Sequence, residues 1–283
     1  MTNNVHEMRE RYLKLVARAL DGTIYEDPPL SSNGGPAFDL NLRTHGWDWP
    51  SVAFTMVGTK RLLNVRRLVE SVIGEGVPGD FVETGVWRGG ACIMARAVLE
   101  AYGVKDRSVI ACDSFEGLPE PNAEAFPADQ GSTFHTYADL AVSLEQVKAN
   151  FAKFDLLDDQ VVFLKGWFRD TMPLVPSKQV AVLRLDGDMY ESTIDPLRSL
   201  YDRIPTGGYV IVDDYHVVEA SKIAVHDFLN ERGETPVLHE IDGVGVYFRK
   251  TSAVPEVEAV TEVEAVTEVE TAPKASWNGV FNA

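Results

Sequence analysis

The stretch Val77-Pro78-Gly79-Asp80-Phe81-Val82-Glu83-Thr84-Gly85-Val86-Trp87-Arg88-Gly89-Gly90 decides the fold. A short apolar run (79–84) ends on an acid and passes through a glycine-rich turn. It then opens into a helical pattern over 88–103, closed by Gly103. Strand, glycine turn and helix in that order begin a βαβ unit. The pattern continues toward the C-terminus. Residues 108–113 (SVIACD), 161–166 (VVFLKG), 180–186 (VAVLRLD) and 207–214 (GGYVIVDD) read as strands. Helical stretches are expected at 138–153, about 193–203 and 218–232. Runs 180–186 and 207–212 are almost continuously apolar, as a sheet covered on both faces requires. Residues 237–242 (VLHEID) and 243–250 (GVGVYFRK) supply one or two closing strands, able to pair as a hairpin. These patterns make the fold α/β, a doubly wound, mostly parallel sheet. Upstream, 7–20 and 56–74 have helical periodicity, and the Pro/Gly/Ser/Asn-rich stretch 27–36 between them reads as loop.

Charge narrows the function. The chain has 283 residues, 26 Lys+Arg and 43 Asp+Glu, for a formal charge of -17. That balance opposes nucleic-acid binding, which needs clustered cations to grip phosphates, and opposes an anionic membrane surface. Residues 251–283 carry six Glu and one Lys, and VEAVTE occurs there twice, at 257–262 and 263–268. Such low complexity predicts a solvated, disordered extension. Trp277 and Phe281 are unusual in it. Cys92 and Cys112 are too few for a disulfide framework. With no membrane-length apolar run and no signal-peptide core, a cytoplasmic location is expected. The boundaries are drawn at 1–60 (helical and loop extension), 61–250 (main domain) and 251–283 (acidic tail).

In doubly wound sheets, ligands bind beyond the carboxyl ends of the strands. There the sequence places Glu83, Asp113, Asp186, Asp188, Asp213 and Asp214. One acid at a strand end is by default a helix cap or a solvated turn residue. Six on one edge repel one another unless a cation or donors compensate. A hard divalent ion with oxygen ligands is the simplest compensation, and Asp186, Asp213 and Asp214 could hold one with positions left open. The turn 83–90 fails as a dinucleotide fingerprint because Trp87 stands where a middle glycine would receive a pyrophosphate. An acid-led turn suits a cationic nucleoside, and S-adenosylmethionine fits. Glu83 could take its ammonium end or act through water, and Asp113 could accept from the ribose hydroxyls. Phosphate-loop, nucleophile-elbow, Tyr-x-x-x-Lys, His-x-x-x-His and Cys-x-x-Cys patterns are absent. His45, His135 and His216 fall in segments that could line the pocket.

Residues 46–70 (GWDWPSVAFTMVGTKRLLNVRRLVE), 77–99, 111–121 (ACDSFEGLPEP), 163–173 (FLKGWFRDTMP), 183–193 (LRLDGDMYEST) and 210–215 (VIVDDY) together resemble the macrocin O-methyltransferase (TylF/MycF) family. The resemblance covers about residues 10–250. It implies a Rossmann-like class I methyltransferase that is S-adenosylmethionine- and Mg2+-dependent. Such an enzyme methylates a deoxysugar hydroxyl of a glycosylated natural product. It further implies Asp186, Asp213 and Asp214 as the metal triad and Asp188 as the general base. Thr55, Met56, Glu83, Thr84, Gly85, Asp113, Ser114, Phe115, Gly166, Trp167 and Phe168 are implied as the cofactor site. Residues 120–137 correspond to a lid over the acceptor. A homo-oligomer, dimer or tetramer, is expected. The rivals are a phenolic or catechol-like acceptor, and a metal-dependent hydrolase using the same acids.

Overall fold

A computed structural model of the chain describes residues 2–30 and 37–251. The acidic tail with Trp277 and Phe281, and part of the 27–36 loop, lie outside the described residues. Three helices precede the sheet: α1 (Thr2–Leu20), α2 (Leu40–His45) and α3 (Gly58–Gly74). Then come β1 (Asp80–Thr84), α4 (Gly90–Tyr102), β2 (Val109–Asp113), α5 (Leu144–Lys153), β3 (Val161–Lys165) and α6 (Phe168–Thr171). The chain closes with β4 (Val180–Leu185), α7 (Tyr190–Leu200), β5 (Tyr209–Val212), α8 (Glu219–Arg232), β6 (His239–Glu240) and β7 (Val246–Arg249).

The strands form one sheet in the order β3-β2-β1-β4-β5-β7-β6. Pairing is parallel from β3 through β5, and β7 runs antiparallel to both β5 and β6. The expected closing hairpin is therefore present. The chain winds outward from β1 to β3, then returns to β4 on the other side of β1. That reversal opens a crevice between the carboxyl ends of β1 and β4.

Alternation along the strands feeds two cores. Phe81, Val109, Ala111 and Ile211 face the cluster built with α1, α3 and α4. Val82, Ile110, Cys112, Val210 and Val212 face the cluster built with α7 and α8. Full burial of one such aliphatic or aromatic side chain contributes about 1.5–3 kcal/mol.

Three local details depart from expectation. The helix expected at 138–153 is a short 3-10 turn at Ala138–Leu140, followed by α5, which Ser143 caps by accepting from the Gln146 N–H. Ala141 and Ser143 are extended between them, which breaks the helical run. The first helix starts earlier than 7, at Thr2. Helix α2 was unforeseen, although Asp39 caps its start and Gly46, at φ 64°, ends it.

Candidate active site

Gly85 sits where β1 and β4 come closest. A Cβ there would lie 1.7 Å from the Asp186 carbonyl oxygen, so only glycine lets the two strand ends meet. Trp87, Phe115 and Asp188 adopt left-handed backbone (φ 46°, 56° and 60°) on this same edge of the sheet. Non-glycine residues visit that region rarely, and such positions concentrate at functional sites.

On the β1–β2 side the expected residues converge. Asp113 accepts from the Val86 N–H through Oδ2 (2.8 Å) and from the Phe115 N–H through Oδ1 (2.7 Å). Ser114 donates its hydroxyl to the Gly117 carbonyl (2.6 Å), closing a tight turn around Phe115. The Gly166 N–H donates to the Asp113 carbonyl (2.9 Å), which brings the 166–168 turn alongside. Trp167 is half-buried there. Phe168 leans toward Gly187, whose notional Cβ would lie 3.3 Å from its ring. From the N-terminal side, the Phe54 carbonyl accepts from the Gly90 N–H (2.9 Å), placing buried Thr55 and half-buried Met56 beside the start of α4. Thr84 is fully buried and reaches the Arg184 carbonyl.

Glu83 sits near the end of β1 with both carboxylate oxygens engaged. It is 1 % exposed, one oxygen accepts from Arg184, and the other accepts from the Cys92 thiol (2.7 Å). Its carboxylate is thus held inside the sheet.

The β4–β5 side is dominated by like charges. One carboxylate oxygen from each of Asp186, Asp213 and Asp214 lies within 4.8 Å of the others. Asp186 accepts from Arg184 (2.7 Å), while Asp213 accepts from Arg184 on one oxygen and Arg61 on the other. Arg61 also donates to Asp242 (3.0 Å), which ties α3 to the loop before β7. Asp214 accepts from the Asp188 N–H (3.1 Å). Burial pushes Asp186 up to about 6, Arg184 opposes the rise, and Asp213 adds to it. Burial pushes Asp188 up to about 7, reinforced by Asp186 and Asp213. Asp214 is held well above the usual carboxylate range by burial and by Asp188. Burial likewise lifts Glu83 to about 7 against the pull of Arg184.

Arg61, Arg184 and Asp242 belong to this site and were missed in the sequence. Arg184 left a signal: it is a charge inside the otherwise apolar run 180–185. Two of these three histidines have other partners. His45 bonds to Lys60 (2.7 Å) and stacks on Trp47, His216 bonds to Glu240 (2.7 Å), and His135 is exposed.

A seven-stranded sheet of this order, with a glycine turn after β1 and acids after β4 and β5, defines an O-methyltransferase of the class I, Rossmann-like type. Residues 3–250 match the family described as Macrocin-O-methyltransferase (TylF), and the chain belongs to that family. Membership implies S-adenosylmethionine as the methyl donor.

The chain is 50 % identical to the 8-demethyl-8-(2,3-dimethoxy-alpha-L-rhamnosyl)-tetracenomycin-C 4'-O-methyltransferase of Streptomyces olivaceus, over 87 % of this chain and 95 % of that one. It is 46 % identical to the mycinamicin III 3''-O-methyltransferase of Micromonospora griseorubida, over 86 % and 97 %. The solved structure of the O-methyltransferase NovP superposes with a TM-score of 0.83 at 48 % identity, covering 86 % of this chain and 99 % of that chain. Among the described residues no helix is long and apolar enough to cross a membrane.

Proposed function

We propose that this enzyme moves a methyl group from S-adenosylmethionine to a deoxysugar hydroxyl of a glycosylated natural product, with Mg2+ held by Asp186, Asp213 and Asp214. The sugar acceptor is supported by the names of the relatives, one specifying a 4'-hydroxyl of a rhamnosyl tetracenomycin and one a 3''-hydroxyl of mycinamicin III. The observation that carries the metal is the convergence of three carboxylate oxygens within 4.8 Å.

The residues fit both groups. Hard oxygen donors suit Mg2+, and each carboxylate oxygen of Asp213 keeps a lone pair beyond the one its arginine takes. Gly85 lets the ends of β1 and β4 meet, and the turn that follows it is where a sulfonium nucleoside would lie. Glu83 would serve that ligand indirectly, by fixing Arg184 and the end of β1. Asp113, Ser114 and Phe115, with Gly166, Trp167 and Phe168, would flank its nucleoside part, and Thr55 and Met56 would close it from the N-terminal side.

The bound Mg2+ would act as a Lewis acid on the acceptor's hydroxyls and lower their pKa. Asp188 would take the acceptor proton on its carboxylate as the new C–O bond forms and the methyl–sulfur bond breaks. The 120–137 segment would cover the acceptor and exclude water.

Two further inferences accompany this reading. A homo-oligomer is supported by the exposed apolar residues Val5, Met8 and Leu15 on α1. A cytoplasmic location is supported by two buried, unpaired cysteines.

The test is methyl transfer by the full chain to sugar-bearing and catechol acceptors, before and after EDTA. Sugar methylation that stops with EDTA and returns with Mg2+ is expected. An EDTA-insensitive rate would overturn the metal assignment, and turnover of the catechol alone would overturn the sugar.

A further inference from the structure

Helix α7 starts two residues past Asp188, and its cap residue, Met189, accepts no N–H through its side chain. The acceptor comes instead from a remote loop. Asp129, inside 120–137, accepts from the Tyr190 N–H through Oδ1 (2.6 Å) and from the Glu191 N–H through Oδ2 (3.0 Å). Its residue is only 1 % exposed. Phe126 lies on the Tyr190 ring, with centroids 5.8 Å apart, and its carbonyl accepts from the Asp129 N–H. Ring and carboxylate therefore seat together on the first turn of α7. The first N–H groups of a helix lack intrahelical partners and carry partial positive charge, so a carboxylate is the strongest cap available to them.

Asp188 stands between this cap and the acid cluster. Its own N–H donates to Asp214 (3.1 Å), and its φ is 60°. Aspartate tolerates that left-handed backbone but does not prefer it, so neighbours must hold it. Asp214 holds one side, and the anchored start of α7 holds the other.

We propose that Asp129 is a positioning residue: its carboxylate fastens the 120–137 loop to the first turn of α7 and so keeps Asp188 in its reacting orientation. This rests on the reading of Asp188 as the base. Loop closure and base placement then become one event, because the loop that covers the acceptor also supplies the cap.

The test compares Asp129→Ala, Asp129→Asn and Asp188→Asn, with the double variant Asp129→Ala/Asp188→Asn, in the full chain. Asp129→Ala is expected to lower kcat about 10-fold, the scale of one lost helix cap. Affinity and stoichiometry for S-adenosylhomocysteine, read by calorimetry, should not change. Asp129→Asn keeps one acceptor oxygen and should fall between wild type and Asp129→Ala; it also keeps the test readable if the alanine variant does not fold. In the Asp188→Asn background the further loss from Asp129→Ala should nearly vanish. Equal losses in both backgrounds, or a cofactor stoichiometry that falls in step with kcat, would overturn the positioning role. Near-normal turnover by Asp188→Asn would instead overturn the base assignment itself.

Discussion

The two sides of the crevice handle negative charge differently. At the β1–β2 end, Asp113 is met by the backbone N–H groups of Val86 and Phe115, with the Ser114 hydroxyl at hand. Those donors come with the fold and need no outside cation. At the β4–β5 end, Asp186, Asp188, Asp213 and Asp214 face two guanidiniums, Arg61 and Arg184. Burial raises carboxylates on both sides, but at Asp186, Asp188 and Asp214, unlike at Asp113, neighbouring aspartates add to the rise. On the proposed reading, the first side would receive the cationic nucleoside and the second a metal that completes it.

The largest effect should come from removing the acid both arginines share. Asp213→Ala removes one buried partner from both Arg61 and Arg184, which keep Asp242 and Glu83 with Asp186 respectively, so the loss should approach the about 3–5 kcal/mol of a broken buried pair. Denaturant unfolding should show that loss, and titration with Mg2+ should show no remaining site. Wild-type stability would mean that the arginines are solvated after all.

Asp188→Asn tests the chemistry without the frame. Turnover should fall by about 10²–10⁴-fold, the usual span for a general base, while S-adenosylhomocysteine binding persists. Gly85→Ala breaks the other side. The added methyl meets the Asp186 backbone at 1.7 Å with φ at 84°. A loss of about 1–3 kcal/mol or more is expected, with weaker cofactor binding by calorimetry.

A subtler contrast lies in pH. Groups whose folded pKa is raised bind more protons folded than unfolded, so their contribution to stability is full at low pH and is lost as pH rises through the folded value. For Asp186 at about 6 and for Asp188 and Glu83 at about 7, the metal-free protein should lose Tm between about pH 4 and pH 7. Mg2+ should raise Tm more at pH 8 than at pH 5, because it binds the ionised acids. Equal Mg2+ effects at both pH values would contradict an over-charged β4–β5 side. The smallest effect is expected from deleting 251–283, which lies beyond the family match ending at 250. The kcat/KM of the shortened chain should equal that of the full chain.

Strand and helix order was legible in the residues because alternation, helical periodicity and glycine stops are local properties. The strand-end acids were legible for the same reason: an acid closing an apolar run lies at the sheet edge whatever the rest of the chain does. The 138–140 turn and α2 escape the sequence patterns because a short extended break and a six-residue helix leave little periodic signal.

Only the tertiary structure decided what meets those acids. Arg61 reaches Asp213 across 152 positions, and Asp129 reaches the start of α7 across 61. It also turned Glu83 inward, toward Arg184 and Cys92. A sequence states which charges exist and where each strand ends. Which donor satisfies which carboxylate depends on how distant segments pack, and that no local pattern carries.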